Sequence, residues 1–202
     1  MVTHAQELNF PLDAAAISSA LGPYGPIENV EANWPLVEDA LDRRGIYSDL
    51  TAVAAISTIG VESGNFSPVK ERGGPSYLAN LYEGRVDLGN NNVGDGARFR
   101  GRGFVQITGR DNYAHFGAET GQDLLNNPDL ALDPAVAAQI LASFFAERHV
   151  HTHADLRNWD MVRRRVNGGL TGWPRFIDAV NKLLAALKLS PADAGILPEV
   201  KT

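Results

Sequence analysis

Arg100-Gly101-Arg102-Gly103-Phe104-Val105-Gln106-Ile107-Thr108-Gly109-Arg110-Asp111-Asn112-Tyr113 is the stretch from which the rest of this chain is best read. Val61-Glu62-Ser63-Gly64-Asn65-Phe66 precedes it. In the longer stretch Gln106 and Thr108 alternate with apolar Val105 and Ile107, the period of a short extended segment with one polar side. Thr108-x-x-Asp111 reads as a capping box for a short helix ending at Gly117. Gly101 and Gly103 complete no Gly-x-Gly-x-x-Gly motif, so they are not a phosphate loop; they allow backbone to approach a ligand.

Working outward, helices dominate. Asn33 is placed to cap one, with Pro35 in its first turn, Trp34, Val37 and Leu41 at helical spacing, and Gly45 as the stop. Ser48 or Asp49 begins a second, running to about residue 63. There Leu50, Val53, Ala54, Ile56, Ile59 and Val61 leave hardly a polar face, so this helix must be central. Asp133-Pro134 starts another, with Val136, Ile140, Leu141, Phe144 and Phe145 inward. A short one spans 160–166 and stops at Gly168, and the last spans 176–189. Its apolar stripe of Phe176, Ile177, Val180, Leu183, Leu184 and Leu187 lacks the cationic face of a membrane-surface helix, so it packs on the core without inserting into a membrane. Residues 64–102 are rich in Gly, Pro and Asn without sustained periodicity. So long a connection in a small domain is functional, and it should form a cleft wall.

With 202 residues, 44% of them hydrophobic and 21% charged, the chain is expected to form one catalytic domain. Residues 1–30 hold a short amphipathic helix, 13–21, and the Gly/Pro turn 22–26, an extension packed on that domain. Cysteine is absent, which excludes disulfides, thiolate metal sites and a thiol nucleophile. A net charge of -6 argues against nucleic acid as the main partner, although Arg98, Arg100 and Arg102 cluster, as do Arg163, Arg164 and Arg165. Met1 to Phe10 carries no signal peptide, so the expected place of synthesis is the cytoplasm. His149, His151 and His153 alternate as metal ligands would, but no further ligand is clearly supplied; an exposed helix-to-loop junction is the preferred reading.

Two acids attract attention. Thr58, Ile59 and Ala55 share the face of Glu62, so its carboxyl should emerge at a helix end beside apolar neighbours, where desolvation favours the protonated form that a general acid needs. The plain alternative is a surface glutamate on a fraying terminus. Glu71 follows beyond the Pro68 turn, on a loop that can fold back across a cleft. Two carboxyl groups facing each other across a cleft can serve as general acid and general base on a bond held between them. Glu71 could instead pair with Arg72 or a lysine, and Glu83 is a rival base.

These pieces, with Asp95-Gly96 before the arginine-glycine run and Val166-Asn167-Gly168-Gly169 near the C-terminus, resemble glycoside hydrolase family 19, the chitinases and phage lysozymes that cut β-1,4 bonds beside N-acetylated amino sugars. The resemblance spans residues 34–187. It implies a mainly α (α+β), lysozyme-like fold whose irregular middle lines a cleft, and an inverting mechanism without cofactor or metal. In that likeness Glu62 is the proton donor, Glu71 the general base, and Thr108 helps hold the attacking water. Gln106 and Asn112 hydrogen-bond sugar amide and hydroxyl groups, Asn167 binds substrate, and Arg175 orients the acid pair. Val61 stands where many members carry histidine. Asn167 is also a plausible helix C-cap. Tyr77, Tyr82 and Tyr113 could stack on sugar rings or be partly buried packing. The phage branch implies a monomeric endolysin that waits in the cytoplasm and cuts peptidoglycan in the periplasm once the membrane opens. Chitin oligosaccharides are the alternative substrate, and an inactive glycan-binding module the alternative of another class.

Overall fold

The computed structural model describes residues 11–192, so the signal-peptide reading of residues 1–10 lies outside the described residues. Helix α3, Asp49–Glu62, is the axis of the fold. Its N-terminus is capped by Ser48, whose hydroxyl accepts from the Thr51 amide, and every residue from 51 to 60 is buried. A helix apolar all round must be enclosed. Among the described residues it packs chiefly against α1 (Ala14–Leu21), α2 (Ile27–Arg43), α8 (Val150–Asp155), α9 (Trp159–Asn167) and α10 (Trp173–Ala186). The stripe on α10 is buried as its spacing required, with Phe176, Val180, Leu183 and Leu184 in the core. Each such side chain contributes about 1.5–3 kcal/mol on burial. α10 starts at Trp173, earlier than expected, because Pro174 suits its first turn.

Helix α2 departs most from expectation. It starts after Pro26, well before Asn33, and Asn33 and Pro35 both lie inside it. Asn33 caps nothing: buried within the helix, it donates through Nδ2 to the Phe66 carbonyl at 2.9 Å. One turn earlier Asn29 donates to the Asn65 carbonyl at 2.8 Å. Two asparagines on one face of α2 therefore fix the turn that follows Glu62.

The middle segment is less irregular than its composition implies. It contains β1 (Val69–Lys70), α4 (Pro75–Tyr82), α5 (Asp95–Arg98) and β2 (Arg102–Gly103). Only Leu78 of α4 is buried, too little apolar pattern to announce a helix. β1 and β2 pair antiparallel, Val69 opposite Gly103 and Lys70 opposite Arg102. Beyond β2 the chain does not stay extended. Residues 104–106 form a turn with Gln106 at φ 53°, and Ile107 folds back to bond Arg102. The alternation expected of residues 105–108 is thus replaced by a tight reversal, made possible by Gly103 at φ 88°.

Helix α6, Arg110–Thr120, begins at Gly109 with no side-chain cap and ends at Gly121, so the capping box and the stop at Gly117 are both corrected. Gly117 lies inside, its Cα facing the Gln122 carbonyl so closely that a Cβ would come to 2.8 Å. α7, Pro134–Glu147, follows its expected cap: Asp133 accepts from the Ala135 and Val136 amides. The whole is a mainly helical α+β chain with a small two-stranded ribbon.

Candidate active site

Glu62 is the last residue of α3, delivered to the surface by a helix buried along most of its length. Its carboxyl faces a guanidinium, not the apolar wall the sequence implied. Arg163 NH1 donates to Glu62 Oε1 at 2.5 Å, with 1% of the arginine side chain and 17% of the glutamate exposed. Arg163 Nε also donates to the Thr171 carbonyl at 2.7 Å. Arg175, the arginine expected to orient the acids, makes a different contact: its guanidinium carbon sits 3.9 Å over the Tyr24 ring, in a pocket it lines together with Gly60 and Val61.

Glu71 immediately follows β1. Its amide donates to the Gly101 carbonyl at 2.9 Å, extending the ribbon by one residue. Its carboxylate is gripped from two sides, Oε2 by the Gly101 amide at 3.0 Å and Oε1 by the Tyr82 hydroxyl at 2.9 Å. Among the described residues neither Arg72 nor a lysine is its partner. A Cβ on Gly101 would come 2.8 Å from Gln106 Oε1 and 3.3 Å from Glu71 Oε2, so the close approach that glycine permits here is to the protein's own side chains. Burial, then the bond to Glu71, pushes the Tyr82 phenol up to about 12, which keeps it a donor. Glu83, the rival base, is engaged otherwise: its two oxygens accept from the Gly94 and Gly96 amides at the start of α5.

Several signature polar groups prove to be braces. Gln106 Nε2 donates to the Val69 and Gly103 carbonyls at 2.7 and 2.9 Å, which uses both amide hydrogens and leaves only Oε1 to meet a sugar. Thr108 donates to the Gln106 carbonyl at 3.0 Å, so its hydroxyl offers a water lone pairs, not a proton. Asn112 Nδ2 donates to the Thr108 carbonyl at 2.6 Å. Tyr113 is fully buried, accepting from Arg102 and donating to the Arg100 carbonyl, and cannot stack on a sugar. Tyr77 is 56% exposed on α4 and Asn167 is exposed at the end of α9, so both can be reached by a glycan.

The basic cluster is engaged by the protein itself, although only Arg102 is buried and Arg98 stays exposed. Arg102 is buried, bonding Asp129 and the carbonyls of Arg98 and Arg100; Arg98 bonds the Leu125 and Asn126 carbonyls, and Arg100 the Ala97 carbonyl. His149 caps α8 in the left-handed region, His151 Nδ1 lies 3.3 Å from the Phe145 carbonyl, and His153 falls in the last turn, so the three histidines belong to one short helix, not an extended run.

Sequence reasoning missed Asp95, Asn90 and Arg163. In the sequence Asp95 shows only a turn, yet it is buried and bonded to Arg110 Nε and NH2 at 2.9 and 2.6 Å. The Arg110 guanidinium holds its carboxyl below the usual range. Asn90, wholly buried, joins the Tyr82 carbonyl to the Arg110 amide. For Arg163 a signal existed: with Trp159, Val162 and Val166 it shares one face of α9, a cation on an apolar stripe, while Arg164 and Arg165 face solvent.

The family model described as chitinase class I, of glycosyl hydrolase family 19, matches residues 48–153. A glycosyl hydrolase family 19 domain-containing protein of Haemophilus influenzae is 37% identical over 125 residues, 59% of this chain and 56% of that protein. An acidic 27 kDa endochitinase of Solanum lycopersicum is 46% identical over 50 residues, 25% of this chain and 20% of that one. This chain therefore spans about half, or less, of the curated relatives it matches. Among solved structures, a bacterial family 19 chitinase superposes with a TM-score of 0.65 at 20% identity, covering 89% of this chain and 96% of the other. Chitinase C of Streptomyces griseus gives 0.62 at 18% identity, covering 91% and 79%. At such identities the likeness is one of fold.

Proposed function

This chain belongs to glycoside hydrolase family 19, and on that premise we propose that it is an endo-acting, inverting hydrolase of β-1,4 bonds between N-acetylated amino sugars, with peptidoglycan glycan strands as substrate. One observation carries the mechanism. Two carboxyl groups on different elements are each held by dedicated donors, Glu62 by Arg163 and Glu71 by Tyr82 and the Gly101 amide.

Glu71, fixed as an acceptor, takes a proton from water as the water oxygen bonds to the anomeric carbon. Glu62 gives its proton to the departing glycosidic oxygen. The bond breaks with inversion, leaving Glu71 protonated and Glu62 charged, and exchange with solvent resets both. Thr108 supports the water through its lone pairs, Gln106 Oε1 and Asn112 receive substrate N–H and O–H groups, and Tyr77 and Asn167 extend the contact along the polymer.

The choice of peptidoglycan rests on the absence of cysteine, which sets the chain apart from disulfide-bonded plant chitinases and makes it resemble a phage endolysin. The endolysin role, with action on the wall after the membrane opens, belongs to the same proposal. The names of the plant relatives and of the solved structures favour chitin as the second reading. A turbidity assay on outer-membrane-permeabilised cells beside a colloidal chitin assay decides: clearing without chitin hydrolysis supports the proposal, and chitin hydrolysis alone replaces it. NMR of the first product from a defined oligosaccharide should show the α-anomer; a β-anomer would overturn Glu71 as base.

A further inference from the structure

Arg163 is the largest fully buried side chain among the described residues, and its guanidinium lies between the acid and a loop. A charge so deep is tolerated only when paired, and Glu62 is its only carboxylate partner among the described residues. The second bond, from Nε to the Thr171 carbonyl, ties the same guanidinium to the 168–172 loop that follows Asn167. Space there is tight: a Cβ on Gly172 would come 3.4 Å from Arg163 NH2 and 2.7 Å from Val61 Cγ1.

From this we infer that Arg163 is the positioning residue for the acid, and that it ties the Glu62 carboxyl to the 168–172 loop. This rests on the reading of Glu62 as proton donor. The planar fork holds two acceptors at a fixed mutual angle, which a lysine ammonium cannot reproduce. Glu62 therefore meets the glycosidic oxygen from one direction instead of sampling several. A displacement of about 1 Å from such geometry costs on the order of 10²-fold in rate. Arg163 touches no reacting atom; it acts through Glu62.

The test uses the full chain and soluble glycan oligosaccharides. Arg163→Met, similar in length and uncharged, should lower kcat on the order of 10²-fold with KM within about threefold of the parent, since the sugar contacts remain. Arg163→Lys should recover part of that loss. Arg164→Met, on the outer face of α9, should leave kcat unchanged. In the Glu62→Gln background Arg163→Met should remove little more, because the two act as one unit. Should Arg163→Met not fold, Arg163→Lys decides: reduced kcat at unchanged KM supports the inference, and parental kcat overturns it. Parental kcat in folded Arg163→Met also overturns it, provided Glu62→Gln is inactive. An active Glu62→Gln enzyme would instead remove the proton-donor reading itself.

Discussion

At the scale of single residues, Tyr82 joins the ribbon-borne glutamate to α4 by one hydroxyl. Tyr82→Phe keeps the ring and removes that donor. A hydrogen bond to a charged group is worth about 1.5–3 kcal/mol, so kcat should fall roughly 10- to 100-fold. If the ring's task were to stack on sugar, phenylalanine would serve nearly as well and KM and kcat would scarcely change. Steady-state kinetics on a soluble oligosaccharide separate the two. Glu62 and Glu71 were legible because each stands in a short distinctive string. Their partners were not, because Arg163 reaches Glu62 across 101 positions and Tyr82 reaches Glu71 across 11, and no local pattern encodes such meetings.

Elements tell a similar story. The central helix, the Asp133 cap and the last amphipathic helix were readable because periodicity and capping are local. Asn33-x-Pro35 misled because asparagine before proline is a common helix entry, and burial of Trp34, Val37 and Leu41 suits either start. What distinguishes the two is tertiary, the bond from Asn33 to a carbonyl beyond α3. The join between α5 and α6 is tertiary too. Asp95 is 3% exposed and Arg110 33%, so the guanidinium keeps some water and the pair's worth is reduced accordingly. Asp95→Ala should lower stability by about 2 kcal/mol, a fall in Tm of roughly 4–8 °C by calorimetry. An unchanged Tm would show that the pair is dispensable.

For the whole molecule, phenols set the alkaline limit. Tyr82 and Tyr113 are both pushed up to about 12, chiefly by burial, and Tyr47 is raised further by burial and its bond to Glu38. Unfolded tyrosines ionise near 10, so between about pH 10 and 12 the unfolded chain sheds protons that the folded one retains, and stability falls as pH rises. Tm should therefore hold up to about pH 9 and drop steadily above 10, with tyrosinate absorbance at 295 nm appearing together with unfolding. At the other extreme stands Asp129, whose carboxylate receives Lys70 from β1 and Arg102 from β2. The Lys70 bond first, then Arg102, keep it ionised below the usual range, so its grip is present above the unfolded pKa near 4 and is lost as pH falls below that. A ribbon of two residue pairs is too short to hold itself together, and electrostatics performs the task that strand length performs in larger sheets. Acid, or the change Asp129→Asn, should thus loosen the strand that presents Glu71 while far-UV circular dichroism still reports intact helices. The acidic limb of the rate profile would then record the letting go of a clasp, and Asp129→Asn should move that limb without any carboxyl at the reacting bond having been altered.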